Sequence, residues 1–394
     1  MHYKKIVFII GLLTGLAIFF VNCMGDNSLT GTDPRGTRYA PINSCGTCHQ
    51  DIMNTYLHTG HYETSSAASH NKLAKFINNG NNKFYYADSN MVSLEEKESA
   101  FFQSHTVDGK MIRSEKLDVA FGSGEKAQTY AYWKNDQLFQ LPLTYFAARQ
   151  SWTNSPGYPT KNPYFDRVIL ARCFECHASF VSKTDIITGP LQVGEKLASN
   201  SIIFGIDCQR CHGPAAEHVQ FHQENPSVKQ AKFIVPIKLL SRQQQLDLCA
   251  SCHSGNDLDV QRTLFAFRPG DTLANFYFPH FGTGKADPDV HGRQMQLLQS
   301  SKCFQNSSIT CNTCHNTHES EKNIQSMFIA KCMTCHESSH HAVQLRTSNA
   351  NCIDCHMPLQ VSKSIIFNNG TDTGRIPYML RTHRIAIYPA MENK

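Results

Sequence analysis

Apolar positions along the chain change character several times. Ile6 to Val21 is an apolar run with no charge behind Lys4 and Lys5, the layout of a secretory signal. It is short for a spanning helix. Residues 24–44 are polar and carry Gly, Asp, Asn and Pro, which predicts a tether. Within "AQTYAYWKNDQLFQLPLTYF", two aromatic-rich runs flank Asn135 and Asp136, which predicts a hairpin. "KMIRSEKLDVAFGSG" predicts a further strand closed by a glycine turn. Together they predict a small antiparallel β element over roughly 82–150. Its aromatics are expected to pack a core, with ligand binding as the alternative. Downstream, "SRQQQLDLCASCH" predicts a helix with Ser241 as N-cap and Gln244 at the third position. "DPDVHGRQMQLLQSSKCF" predicts a second, with Asp287 as N-cap, Pro288 after it and His291 in its first turn. The rest of 173–356 is expected to be short helices and loops.

Composition adds little until the cysteines are counted. The chain has 394 residues, 41% hydrophobic and 18% charged, with a net charge of +5. The apolar share is slightly low for this size, so something other than aliphatic side chains is expected to fill part of the interior. No long Lys/Arg run is present, which argues against nucleic-acid binding.

Of 16 cysteines, fourteen form seven Cys-x-x-Cys pairs, each followed directly by His. The pairs are Cys45 and Cys48, Cys173 and Cys176, Cys208 and Cys211, Cys249 and Cys252, Cys311 and Cys314, Cys332 and Cys335, and Cys352 and Cys355. The histidines are His49, His177, His212, His253, His315, His336 and His356. A zinc ribbon leaves the residue after the second Cys free to vary. A disulfide framework does not repeat one spacing, and a thioredoxin motif occurs once. The repeated pentad is the attachment signature of c-type haem. The two thiols bond covalently to the haem vinyl groups, and the adjacent His serves as proximal iron ligand. Seven covalent haems are therefore expected. They would also turn the mature oxidised protein acidic, to about −4.

Thirteen histidines lie outside the pentads, one of them (His2) in the signal, and eleven Met residues are the alternative distal ligands at individual sites. That surplus favours ligation of each iron by two histidines. "CNTCHNTH" places His318 three residues after His315, too close to pass round its own haem, so it is expected to ligate another. "CQRCHGPAAEH" puts His218 six residues after His212, and "CMTCHESSHH" offers His340 and His341. Cys303 belongs to no pentad and is expected to be a buried, inert thiol.

The chain resembles the multihaem c-type cytochromes with doubled CxxCH motifs, a family that includes the tetrahaem cytochrome of ammonia oxidisers. The matching stretches include "SCGTCHQDIMNTYLHTGH", "RCFECHAS", "GIDCQRCHGPAAEHV", "LCASCHSG", "ITCNTCHNTH", "DCHMP" and "THRIAIYP", spread over most of 44–388. The resemblance implies His61, His218, His318 and His383 as distal ligands, with His291 at a further family-like position. Tyr56 stands where the family pattern usually has Trp. The implied fold is mostly α and irregular, with short helices around covalent haems, the β element being an addition.

The expected organisation is a signal peptide at 1–22, a tether at 23–44 and a first-haem segment with the β element at 45–165. A six-haem cytochrome domain at 166–388 and a tail at 389–394 follow. Cys23, after Phe20-Val21-Asn22, fits a relaxed bacterial lipobox and is a candidate for lipidation. An uncleaved anchor and simple secretion are the alternatives. The expected location is the periplasm or outer membrane of a Gram-negative bacterium. The expected role is electron transfer between a membrane quinol-oxidising complex or periplasmic cytochromes and other redox proteins. The alternatives are a reductase or oxidase of small nitrogen or sulfur compounds with one open haem, and a subunit of a conducting extracellular filament.

Overall fold

The computed structural model describes residues 33–77, 82–255, 258–278, 288–322, 324–336, 351–368 and 374–388. Cys23, His340, His341 and Asp287 lie outside them. The expectation of a mostly helical chain is wrong: helix and strand occur in comparable amounts, and the strands form several antiparallel sheets.

The β region is larger than the pattern predicts. A seven-stranded sheet is built from 65–67, 119–121, 127–134, 137–140, 143–146, 151–154 and 167–169. The hairpin centred on Asn135 and Asp136 is at its heart, and both residues have positive φ, as its two-residue turn requires. "KMIRSEKLDVAFGSG" holds two strands, Lys110–Lys116 and Val119–Phe121, in different sheets. The first completes a four-stranded meander with Lys83–Ala87, Asn90–Lys97 and Ala100–Val107.

The two sheets share one core. Phe84, Tyr86, Val92, Leu94 and Phe101 from the meander pack with Tyr130, Tyr132, Tyr145 and Trp152 from the larger sheet, with Leu73 and Phe76 beside them. The aromatics therefore fill a core, as expected. Trp152 donates its indole N–H to the Phe76 carbonyl at 3.1 Å. On its other side the large sheet buries Val119, Phe121, Ala131 and Leu138 against Ala171, Phe174, Ala178, Val181 and Leu197. Ala171 and Phe174 belong to the helix Ala171–His177, so the second pentad is mounted directly on the sheet.

Two further hairpins went unforeseen. Lys183–Gly189 pairs with Gln192–Leu197, and Leu359–Asn368 pairs with Arg375–Arg381. The second docks Phe367, Ile376 and Tyr378 on Phe146 of the large sheet. Both carry β-branched residues and turn residues that the dense pentads between them obscured.

The helix at Arg242–His253 starts as expected, with reciprocal hydrogen bonds between Ser241 and Gln244. It packs Leu246 and Ala250 on Leu264, Phe267, Leu273, Phe276 and Met295. The second expected helix begins later, at Gln294, so His291 precedes it. Residues 33–40, expected to be a tether, pack on the third pentad. Arg35 bridges Asp33 and Asp207, and Gln209 exchanges two hydrogen bonds with the Ala40 backbone. Among the described residues no helix is long and apolar enough to cross a membrane.

Candidate haem-binding site

Each pentad lies on or at the end of a short helix, including Asn43–Gly46, Cys208–His212, Cys311–Cys314, Gln325–Met333 and Cys352–His356. Helical spacing explains the motif: the first Cys, the second Cys three residues on and the His four residues on share one face. Local polar groups fix where these helices start. Asp207 accepts the Arg210 backbone N–H, Asn351 accepts that of Ile353, and Thr310 forms a capping box with Thr313.

None of the fifteen described cysteines is in a disulfide. Thiols from different pentads meet. Cys45 lies beside Cys208, Cys176 beside Cys252 and Cys249 beside Cys311. Cys211 lies close enough to Cys252 to act on it electrostatically, as Cys314 does on Cys332 and Cys352 on Cys332. The attachment positions therefore form a row in the order first, third, fourth, fifth, sixth, seventh. The second branches off at the fourth. Cys303 is half-buried, and burial pushes its thiol up.

The histidines converge in twos. His49 faces His218 with ring centroids 6.5 Å apart and planes within 10°. His212 and His318 are 6.0 Å apart at 13°, and His315 and His383 6.2 Å apart at 30°. His61 and His253 are 6.0 Å apart and nearly perpendicular, at 83°. Each pair joins a pentad His to one outside the pentads. His291 lies near enough to His177 to act on it electrostatically, and its ring is 6.3 Å from that of Tyr378. Among the described residues no three His, Cys, Asp or Glu side chains converge as a zinc site requires.

Several elements position these rings. The C-terminal hairpin delivers His383, whose carbonyl accepts from the Ser301 hydroxyl while that hydroxyl accepts the Ile385 N–H. It also anchors the loop before Gln294: Asp289 accepts the backbone N–H groups of Lys363 and Ser364 and the hydroxyls of Ser362 and Ser364, two residues from His291. Tyr56 is buried, donates to the Ile206 carbonyl at 2.6 Å and lies 6.2 Å from the His318 ring. His218 Nδ1 bonds the Lys232 carbonyl at 2.7 Å.

Burial sets the charge state of the rings. Desolvation, then the nearby His253 and His315, pushes His61 down to about 4. Desolvation with His315 and His253 does the same to His383, also to about 4. Desolvation lowers His177, His212 and His291 as well. These imidazoles are neutral near pH 7 and keep a lone pair for a metal. His383 Nδ1 and His222 Nε2 are buried with no hydrogen-bond partner.

Two residues escaped the sequence reading. His222 sits one turn after His218, their rings 4.7 Å apart; the His-x-x-x-His spacing on a helix was the available signal. Glu321 lies 2.6 Å from His315 Nδ1, and no local pattern announces it.

No protein-family model matches the chain, and no curated protein matches it in sequence. The fold is similar to the crystal structure of the outer cell wall cytochrome OcwA, with a TM-score of 0.50 and 17% identity over 85% of this chain and 80% of that one.

Proposed function

We propose that the chain is an extracytoplasmic multihaem c-type cytochrome that carries electrons between redox partners. In this reading the seven pentads bind seven haems covalently, and the pentad histidines are proximal ligands. His218 completes the first site, His291 the second, His318 the third, His61 the fourth and His383 the fifth. The likeness in fold to an outer cell wall cytochrome supports both the class and a location in the cell envelope. Lipidation at Cys23 belongs to the same proposal.

The observation that carries it is the spacing of the four ring pairs. Parallel rings 6.0–6.5 Å apart are not in face contact, which needs about 3.5–4 Å. A metal–imidazole bond is about 2.0 Å and the ring centre lies about 1 Å behind the nitrogen, so two ligands on opposite sides of one metal have centres about 6 Å apart. Neutral rings and the unpartnered His383 Nδ1 suit such ligation. Bound haem supplies a one-electron ferric–ferrous couple at each site. The chain's own part is to hold the sites in contact, through the thiol meetings described, and to keep the ligands dry.

A pyridine haemochrome assay with intact mass tests the count, which should be seven. Low-temperature EPR tests the ligands. Perpendicular imidazole planes leave two iron orbitals nearly degenerate and parallel planes split them. The His61–His253 site should therefore give a far more anisotropic low-spin signal than the His49–His218 and His212–His318 sites. His318→Ala should turn one haem high-spin with the haem count unchanged. An unaltered low-spin spectrum would leave His318 a surface residue.

A further inference from the structure

The pentad histidines are held from behind by different kinds of acceptor. His177 Nδ1 lies 3.0 Å from the Thr64 hydroxyl, and His356 Nδ1 lies 3.0 Å from the Ala386 carbonyl. At His315 the partner is a carboxylate oxygen of Glu321, at 2.6 Å. The other Glu321 oxygen accepts the Asn316 backbone N–H, so the carboxylate is clamped between the ligand and its own neighbour. Its side chain is only 18% exposed. Lys322 next to it is turned away to Glu125, and Lys331 acts on Cys314 from another side. Glu321 also lies close enough to act on the His61 ring.

These acceptors are not equivalent. A hydroxyl or a carbonyl is neutral. A carboxylate forms the shorter, stronger, charge-assisted bond, draws the Nδ1 proton towards itself and makes the opposite nitrogen a better donor. A stronger donor and a nearby negative charge both favour the oxidised metal over the reduced one, which lowers the reduction potential.

We propose that Glu321 is a positioning residue that makes the site of Cys311, Cys314 and His315 the lowest in potential of the three sites at which the acceptor of the pentad histidine's Nδ1 is known. This inference rests on the haem-binding reading above. Helix packing puts that site between the fourth and the sixth: Cys311–Cys314 contacts both Arg242–His253 and Gln325–Met333. A low-potential site in mid-row separates the electrons held on its two sides.

The test is a spectroelectrochemical titration of the purified holoprotein. E321Q keeps the shape and an oxygen to accept from Asn316, and removes the charge; E321D keeps the charge. In E321Q one midpoint should rise, with seven haems and a low-spin spectrum retained, and in E321D that midpoint should move less. If no midpoint moves in E321Q, or E321D moves it as far, the inference falls. Should E321Q lose haem, the wild type decides: the EPR signal that H383A abolishes must be reduced after those of the second and seventh sites. Finding it reduced before either of them overturns the inference. A wild type without covalent haem would instead sink the haem-binding reading itself.

Discussion

The two halves of this molecule are held together in different ways. Between 65 and 169, aromatic side chains touch: Phe76 and Tyr145 have centroids 4.5 Å apart, and Tyr130 and Trp152 5.2 Å. Around the pentads, four pentad histidines each stand 6.0–6.5 Å from a histidine outside the pentads, farther apart than these core rings. The first half closes the core between its two sheets with its own residues. The second packs a small apolar core around Leu246, Phe267 and Phe276 and gathers its pentads on short helices. Stability in the first half should follow the hydrophobic effect, and in the second it should follow the cofactor.

The strongest way to break that comparison is to withhold haem. Expressed without haem-attachment machinery, the chain should lose protease resistance through most of 171–388 and retain a resistant fragment spanning about 65–169. Limited proteolysis read by mass spectrometry checks this. A uniformly resistant apoprotein would mean that the pentad region closes on its own.

The complementary change strikes the aromatic core. Trp152 is 3% exposed and touches both sheets' shared core. Trp152→Ala should cost about 3–5 kcal/mol, the range for large aromatic deletions. Denaturant unfolding followed by far-UV circular dichroism measures it. The haem count and visible spectrum should stay as in the wild type, and a lost haem would show that the two halves are not separable.

Asp289 tests the seam between them on a smaller scale. Burial opposes ionisation of this carboxyl, but the hydrogen bonds from Ser364, Lys363 and Ser362 outweigh it and hold the group well below the usual carboxylate range. A depressed folded-state value means that its stabilisation is present above about pH 4 and is lost as the pH falls further. Asp289→Ala should cost about 1–3 kcal/mol. It should also perturb the proposed haem site of His177 and His291, seen as a changed EPR signal at that site alone. A spectrum identical to wild type would separate the hairpin anchor from His291.

Much of the candidate site was legible because it is local. Cys-x-x-Cys-His is five residues long, and its helical spacing places all three side chains on one face without help from the rest of the chain. The capping box at Ser241 and the turn at Asn135 and Asp136 are equally local, and both stand as expected. The extent of the β structure was not legible in the same way. The strand 65–67 finds its partner at 119–121, and 167–169 finds its own at 137–140. Short strands of this kind carry too few residues to show a period.

What the sequence determined by itself is the chemistry: which thiols and which imidazoles are present, at what spacing, and on which side of a short helix. Tertiary structure alone decided the partnerships. His61 meets His253 across 192 positions, and His383 meets His315 across 68. No local period encodes such a meeting. It follows from where the large sheet seats the second pentad, from the C-terminal hairpin docked on Phe146, and from burial that keeps His61 and His383 neutral.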